Sequence, residues 1–535
     1  MTIVRSVLMV LYCLSELNSL LKAKGERFPM LKDLAIILAI SVFVAVLYGG
    51  VTRTYFCGYD DFIEIHRAAF EETRQPQRIL TGTHLGTYKY RPFSHGINFL
   101  TYKLSGGDPP LFRVRNLMAH LINVGLVYAI GLMLFSNRLT SAVAALLFGA
   151  HPLVNQPVVA ASFTITLAHT AFLFSFFCFL FSVRRKRGSL IWLSFALVSG
   201  WLGTLNYEAS ISVFPLMFAY LLIHFVFWRQ RLINSRFLVV MTLGTILLTG
   251  SYFGLRLLFV SMGAQRAIPN VNTMLKAGLM YFGALISPID SIMASEWFGA
   301  PLPSELRMDS ISSEIRVFLM VGLFVVLVAL IFLVRPIVNR LREAQWADLV
   351  FLLLAVFFTL LPFVLLTPKP SETYVYMAVA FAALLFAATL QALIVSGSTK
   401  GRLIYITVIG VLALSFSLGT WVRNNRVVRC GETVTRILPA LQNEKWKAGA
   451  WSIWLSPVPG EPRSRRYGIY GWRGIDTIAD PGVEVAVQWV NNNEMLRARV
   501  VEPEYFKSDC NGTQDVCLWV HEDGTVEPWR EPPNK

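Results

Sequence analysis

Residues 34–66 read L-A-I-I-L-A-I-S-V-F-V-A-V-L-Y-G-G-V-T-R-T-Y-F-C-G-Y-D-D-F-I-E-I-H: a charge-free apolar run, then two adjacent carboxylates, Asp60 and Asp61. The run has the length of a bilayer core, and similar runs recur along a chain of 535 residues that is 55% hydrophobic. Its mean hydropathy is +0.54. Repeated runs of about 18 or more apolar residues call for a hydrocarbon solvent, in which only segments that satisfy their own backbone hydrogen bonds can span. The fold class expected is an all-α polytopic membrane protein of about eleven transmembrane helices, with a small C-terminal α+β or mostly-β extracytoplasmic domain. The spans fall near 33–51, 113–135, 139–157, 163–183, 189–205, 208–228, 237–259, 315–334, 348–367, 373–396 and 403–422.

The charge pattern orients them. The net charge of +15 lies wholly in residues 1–422, with 33 Lys and Arg against 18 Asp and Glu; residues 423–535 carry 15 of each. The basic clusters are Lys22 to Lys32, Arg184 to Arg187, Arg229 to Arg236, Arg335 to Arg342, and Lys400 with Arg402. They share one face if the N-terminus is cytoplasmic, as the positive-inside rule requires. Nucleic acid is therefore not the expected partner; the lipid bilayer is. Residues 1–32 read as a cytoplasmic N-terminus. Within it, 3–21 carry Arg5, Glu16 and Asn18 and suit an amphipathic surface helix better than a cleavable signal. Residues 33–422 form the membrane domain, with a first outer loop at 52–112, and residues 423–535 lie outside. The run at 272–290 would invert everything after it if it spanned, so a shallow or re-entrant helix is expected there. The bacterial inner membrane, or the endoplasmic reticulum of a eukaryote, is the expected location.

The outer tail contains alternating stretches such as V-E-V-A-V-Q-W-V and the loop C-N-G-T-Q-D-V-C. A disulfide between Cys510 and Cys517 is expected in that oxidising setting. The enclosed N-G-T matters only in a eukaryotic secretory pathway.

The outer rim then collects polar residues beyond what topology needs. Asp61 and Glu64 start an amphipathic helix in capping-box fashion, with Phe62, Ile65, Ala69 and Phe70 as its apolar face. Backbone donors should hold the Asp61 carboxylate ionised. Asp60 is left over, beside a second negative charge, and is the expected base, with Asp61 as its positioning partner. Arg91 offers a fork suited to phosphate, and His95 lies one turn on. Arg113 and Arg115 open the second span, where Asn116 and His120 share a helix face. His151, Glu208 and Glu372 mark the outer ends of later spans. Ionisable groups at membrane depth are costly and usually face a shared cavity. A divalent cation bridging the carboxylates and a phosphate fits these residue types, although no metal-ligand motif calls for one. No P-loop, dinucleotide turn or G-x-S-x-G elbow is present.

This order of motifs resembles the GT-C glycosyltransferases: Y-D-D after the first span, Y-R-P before the second, N-x-x-x-H within it, H-P at the third, a Glu after the fifth and E-x-Y before a late span. It is similar above all to the branch of protein O-mannosyltransferases with tetratricopeptide tails and their bacterial relatives, over residues 33–430. The resemblance implies a first-loop acid at Asp60, a Y-R-P at Tyr90, Arg91 and Pro92, an Asn and His at Asn116 and His120, and an H-P at His151 and Pro152. It implies a Glu at Glu208 and an E-x-Y at Glu372 and Tyr374. The family's Lys before the Glu is Tyr207 here, and its Arg within E-R-Y is Thr373. The reaction implied is inverting transfer of a sugar from a polyprenyl-phosphate-linked donor to a hydroxyl of a protein or glycan acceptor, on the non-cytoplasmic side. The phosphate would sit near Arg91, with Arg113 or Arg115 assisting. A flippase for lipid-linked sugars and an inactive scaffold of the same fold are the rivals; polar groups gathered at one rim favour the enzyme over the flippase.

Overall fold

The computed structural model describes residues 29–57, 59–81, 90–184, 189–228, 234–260, 270–286, 346–366, 372–395, 399–442, 452–458, 482–501, 515–521 and 523–528, with isolated positions 320, 324, 328, 503 and 510. The expected surface helix at 3–21 and the N-G-T lie outside these residues, as does nearly all of the eighth expected span.

Helix α1 (Pro29–Tyr48) enters the bundle and ends in a 3₁₀ turn, Gly49–Arg53. The first outer loop holds α2 (Tyr59–His66), the wide π-helical turns Arg67–Glu72, α3 (Arg78–Thr81) and α4 (Pro92–Ser105). Helix α4 begins with proline, whose missing N–H costs nothing there, and stops at Gly106, whose φ of 63° favours glycine. Then follow α5 (Pro109–Phe135), α6 (Arg138–Ala150), α7 (Asn155–Val159), α8 (Ile165–Arg184), α9 (Leu190–Asn206), α10 (Val213–Trp228) and α11 (Ser235–Phe259). Helices α12 (Val271–Ile286), α13 (Trp346–Leu366), α14 (Tyr376–Val395) and α15 (Thr399–Leu441) complete the bundle.

Among the described residues seven helices are long and apolar enough to cross a membrane, or eight if α6 and the segment Pro152–Val159, bent by 55°, make one span. Helix α9 and residues Tyr376–Gln391 are shorter apolar helices. The expected eleven is therefore not reached by this measure. The bend follows from H-P: Pro152 cannot donate, and it pushes His151 into an extended conformation (φ −65°, ψ 128°). Helix α12 stands where the shallow or re-entrant helix is expected and buries Ala277, Tyr281 and Leu285.

Helix α5 is the axle, packed against α1, α6 and α8, while α8 lies along α9 and α14 packs against both α6 and α13. Helix α15 crosses the expected domain boundary at 422 without a break and carries the chain toward the C-terminal domain. Gly431 lets its backbone touch the first outer loop, since a Cβ there would collide with Thr54 and Tyr55.

The C-terminal unit is a small α+β domain. Strands β1 (Ser452–Pro457), β2 (Arg497–Val500), β3 (Asp515–Val520) and β4 (Val526–Pro528) form one sheet in the order β2-β1-β3-β4. The β1 pairings are parallel and β3–β4 is antiparallel. The alternating V-E-V-A-V-Q-W-V is helix α16 (Gly482–Val490), not a strand. Its period-2 pattern hides a helical one: Val483, Ala486 and Val487 all lie at 0% exposure on one face. A disulfide joins Cys510 to Cys517.

Candidate active site

Residues 160–164, between α7 and α8, lack regular helical bonding at the level where α5 and the first loop meet. Buried irregular backbone must find other partners. Here the partners are side chains from distant parts of the sequence. The Arg113 guanidinium donates to the carbonyls of Val159, of Thr54 (3.0 Å) and of Tyr55 (2.7 Å). Asn116 donates to Ala160 O at 2.6 Å, and Arg115 to Ala161 O at 2.9 Å. Asn98 donates to Ser162 O at 2.9 Å, and Asn206 to Thr164 O at 3.2 Å. Arg115 also reaches Asn98 Oδ1 (2.8 Å) and Thr101 Oγ1 (3.0 Å).

Three residues expected to bind substrate are engaged in this scaffold. Arg113, Arg115 and Asn116 fasten the backbone of the first outer loop and of the bend, and Arg113 is fully buried. Arg113 donates to backbone carbonyls, while Arg115 divides its donors between the carbonyl of Ala161 and the side chains of Asn98, Thr101 and Asn116.

Asp61 belongs to the same fastening. The helix begins two residues earlier than the expected cap, so Asp61 points out of it. Oδ2 accepts from Cys57 N–H at 3.2 Å and Oδ1 from Ser162 N–H at 2.8 Å. Burial pushes its carboxyl above the usual range, against the pull of Arg113 and of the two backbone donors. The expected direction was the opposite; desolvation outweighs the donors. Glu64 does not reach back to close a capping box. It pairs instead with Arg67 and accepts from Asn98 at 3.0 Å. Asp60 stands in the first turn of α2, half-buried.

His95 joins a buried charge network rather than a ligand surface. Arg67 Nη1 donates to His95 Nε2 at 3.0 Å and Arg67 Nε to Glu72 Oε1 at 2.8 Å, so the imidazole proton lies on Nδ1, 3.5 Å from Glu72. The π-helical turns bring Arg67 and Glu72 to the same side. Burial raises the Glu72 carboxyl to about 7, against the opposing charge of Arg67.

His120 and His151 are core residues. His120 Nδ1 accepts from Tyr376 OH at 2.6 Å, and Nε2 faces Gly149 O at 3.2 Å. Asn123 donates to the same Tyr376 hydroxyl at 3.0 Å, and the His169 ring stacks on Tyr376. His151 Nδ1 accepts from Leu153 N–H at 3.2 Å, capping the turn after the bend. Tyr90 donates to Leu80 O at 3.2 Å and stacks on Phe259.

Arg91 keeps part of its side chain accessible at the rim. Its Nε and Nη2 make a bidentate pair with Glu208, at 2.6 and 2.8 Å, with side-chain exposures of 20% and 33%. The guanidinium lies over the Tyr207 ring, 4.5 Å from its centroid. Tyr207 stacks on Phe363, and Phe363 on Tyr374 at 4.5 Å, so an aromatic column stands under the cation. Glu372 begins the short turn Glu372–Tyr374; its side chain lies outside the described residues. The rim and the first outer loop are linked: Thr164 Oγ1 bonds Ser94 Oγ (2.7 Å) beside Arg91 and Asn206 Oδ1 (2.6 Å) beside Tyr207, two residues on from the Ser162 that holds Asp61.

Glu64, Arg67, Glu72, Asn98 and Asn206 are the site residues that sequence motifs did not single out for binding. Paired charges within the amphipathic loop helix were the available signal for the first three. Among the described residues no three His, Cys, Asp or Glu side chains converge where a metal ion could bind.

No family model and no curated protein matches the chain in sequence. Solved structures do match in fold. The apo oligosaccharyltransferase of Archaeoglobus fulgidus aligns with a TM-score of 0.50 at 12% identity, over 89% of this chain and 65% of that one. Its complex with zinc and sulfate aligns with a TM-score of 0.50 at 10% identity, over 90% and 67%. Apo ArnT from Cupriavidus metallidurans aligns with a TM-score of 0.48 at 12% identity, over 91% and 92%. The chain thus spans about two thirds of the archaeal enzyme's length. The likeness is one of fold, a polytopic helical bundle, and nothing in it singles out the mannosyltransferase branch.

Proposed function

We propose that the chain transfers a sugar from a polyprenyl-phosphate carrier to an acceptor hydroxyl on the non-cytoplasmic side of the membrane, inverting the anomeric centre. The observation that carries this reading is the half-exposed Arg91–Glu208 fork over Tyr207, tied through residues 162–164 to the carboxylate-bearing loop helix. It stands in a fold shared with an oligosaccharyltransferase. A guanidinium fork matches phosphate in geometry, and an aromatic face beneath it holds it level. Arg91 would seat the carrier phosphate, with the carrier tail among the apolar helices. Asp60 would accept the acceptor's proton as its oxygen bonds to the anomeric carbon. The bond from that carbon to the phosphate oxygen breaks, and its electron pair leaves with the phosphate. Asp61, buried and fastened to Ser162, would fix the angle of the loop helix and so the position of Asp60. Protein and glycan hydroxyls both satisfy this chemistry as acceptors, and mannose is one sugar the motif order suggests.

The test is the full chain in proteoliposomes with lipid-linked sugars, read by mass spectrometry of acceptor and freed carrier. Transfer without net flipping supports the enzyme; flipping without sugar consumption supports a transporter; neither supports a scaffold.

A further inference from the structure

We propose that Glu208 is a built-in competitor for the carrier phosphate: it holds Arg91 when the site is empty, gives it up to the incoming phosphate, and retakes it to expel the spent carrier. This rests on the reading that Arg91 is the phosphate seat.

Two arginine–glutamate systems at the outer rim differ in one decisive respect. Arg67 and Glu72 are sealed, with side-chain exposures of 2% and 1%, and Glu64 beside them keeps 14%. Separating buried charges would strand them without water, so that network is structural. Arg91 and Glu208 make an equally well-formed fork but keep 20% and 33% of their side chains accessible. A half-exposed pair is weak in net terms, because water compensates both charges when it opens. It is thus poised to exchange.

On the Nε–Nη2 edge the geometry makes the exchange exclusive. Glu208 occupies Nε and Nη2, one edge of the guanidinium, and the Tyr207 ring covers one face. A phosphate taking two parallel N–H donors on the occupied edge must displace the carboxylate. The aromatic column Tyr207–Phe363–Tyr374 holds the guanidinium in place while the anion changes.

Exchange also answers a problem of turnover. The sugar-linked carrier is a phosphodiester with one negative charge, whereas the spent carrier is a monoester with up to two, its second pKa near 6 by analogy with other monoesters. An arginine without a rival would hold the product more tightly than the substrate. A carboxylate within reach lowers the affinity for both in proportion to the fraction of time the fork is closed.

The experiment measures binding of farnesyl phosphate, with farnesol as the uncharged control, to the full chain in detergent. Glu208→Gln keeps the shape and removes the charge. A pair worth about 1 kcal/mol has a closed-to-open ratio of about five, which predicts about fivefold tighter farnesyl phosphate binding in this variant, with farnesol unchanged. Product inhibition by the freed carrier should strengthen by the same factor. A merely structural glutamate gives unchanged or weaker binding on substitution, and that result overturns the proposal. Should Glu208→Gln fail to fold, Glu208→Ala removes the same rival charge and is read in the same way. Arg91→Gln separates the two levels of inference. If wild type binds farnesyl phosphate no better than Arg91→Gln, the phosphate seat itself is wrong and the competitor falls with it. If only the wild type binds and Glu208→Gln brings no gain, the seat stands and the competitor is refuted.

Discussion

Arg113→Met and Arg91→Met should fail in opposite ways. Arg113 is buried, and its guanidinium serves the carbonyls of Thr54, Tyr55 and Val159. Methionine keeps much of the volume and none of the donors, so two buried acceptors and one part-buried acceptor lose their partner. Each stranded group costs about 1–3 kcal/mol. Relaxation recovers part of the sum, which leaves about 3–5 kcal/mol, the usual range for removing one member of a buried ionic network. Arg91 makes one half-exposed pair, and losing it should cost about 1 kcal/mol or less. A polytopic chain need not unfold in a two-state manner, so the readout is the half-life of monodisperse protein in detergent at a fixed temperature. Arg113→Met should shorten it severely; Arg91→Met should barely change it, while sugar transfer collapses. If Arg113→Met is as long-lived as wild type, or if Arg91→Met is the less stable of the two, the division between backbone fasteners and an accessible phosphate seat is wrong.

Asp60→Asn should lower transfer by about 10²–10⁴-fold with the half-life unchanged, the usual contribution of a positioned base; undiminished transfer by the purified variant removes Asp60 from the mechanism. Glu72 titrates near 7 in the folded chain and near 4.5 otherwise. A raised carboxyl pKa means that the folded state holds the proton more tightly, so its contribution to stability is complete below about 4.5 and is lost as pH rises through about 7. Thermal stability should therefore fall between pH 5 and pH 8, and Glu72→Gln should flatten that part of the profile. Trp489, on α16, packs against Tyr55, Phe56 and Phe62 of the first outer loop. Trp489→Ala should cost up to about 3–5 kcal/mol in that contact. It would show as faster proteolytic release of the C-terminal domain and slower transfer, because the loop helix loses the surface it leans on.

Much of this was legible in the chain itself, and where it was not the reasons are specific. Apolar run length and the basic clusters defined a membrane bundle, but the third expected span, 139–157, ran straight through the bend at His151–Pro152. The tail was read as α+β or mostly-β, yet its most strand-like stretch is α16. There Val483, Ala486 and Val487 match a helical stripe as well as an alternation, and packing on the sheet chose between them. The Asp61–Glu64 pair looked like a cap, but α2 starts at Tyr59 and turns Asp61 toward Ser162 instead.

The sequence by itself determined the solvent this protein folds in, the approximate course of its helices and the collection of polar groups at one rim, because those depend on local composition and spacing. Only the tertiary structure decided which polar groups are spent. Arg91, Arg113 and Arg115 carry the same side chain close together in the sequence. Arg113 lies buried on the carbonyls of Val159, Thr54 and Tyr55, and Arg115, half-buried, meets that of Ala161; Arg91 meets a carboxylate at the edge of water. That difference comes from the broken span, whose unpaired backbone draws in whatever donors the fold brings near, and donors more than forty residues away leave no local trace.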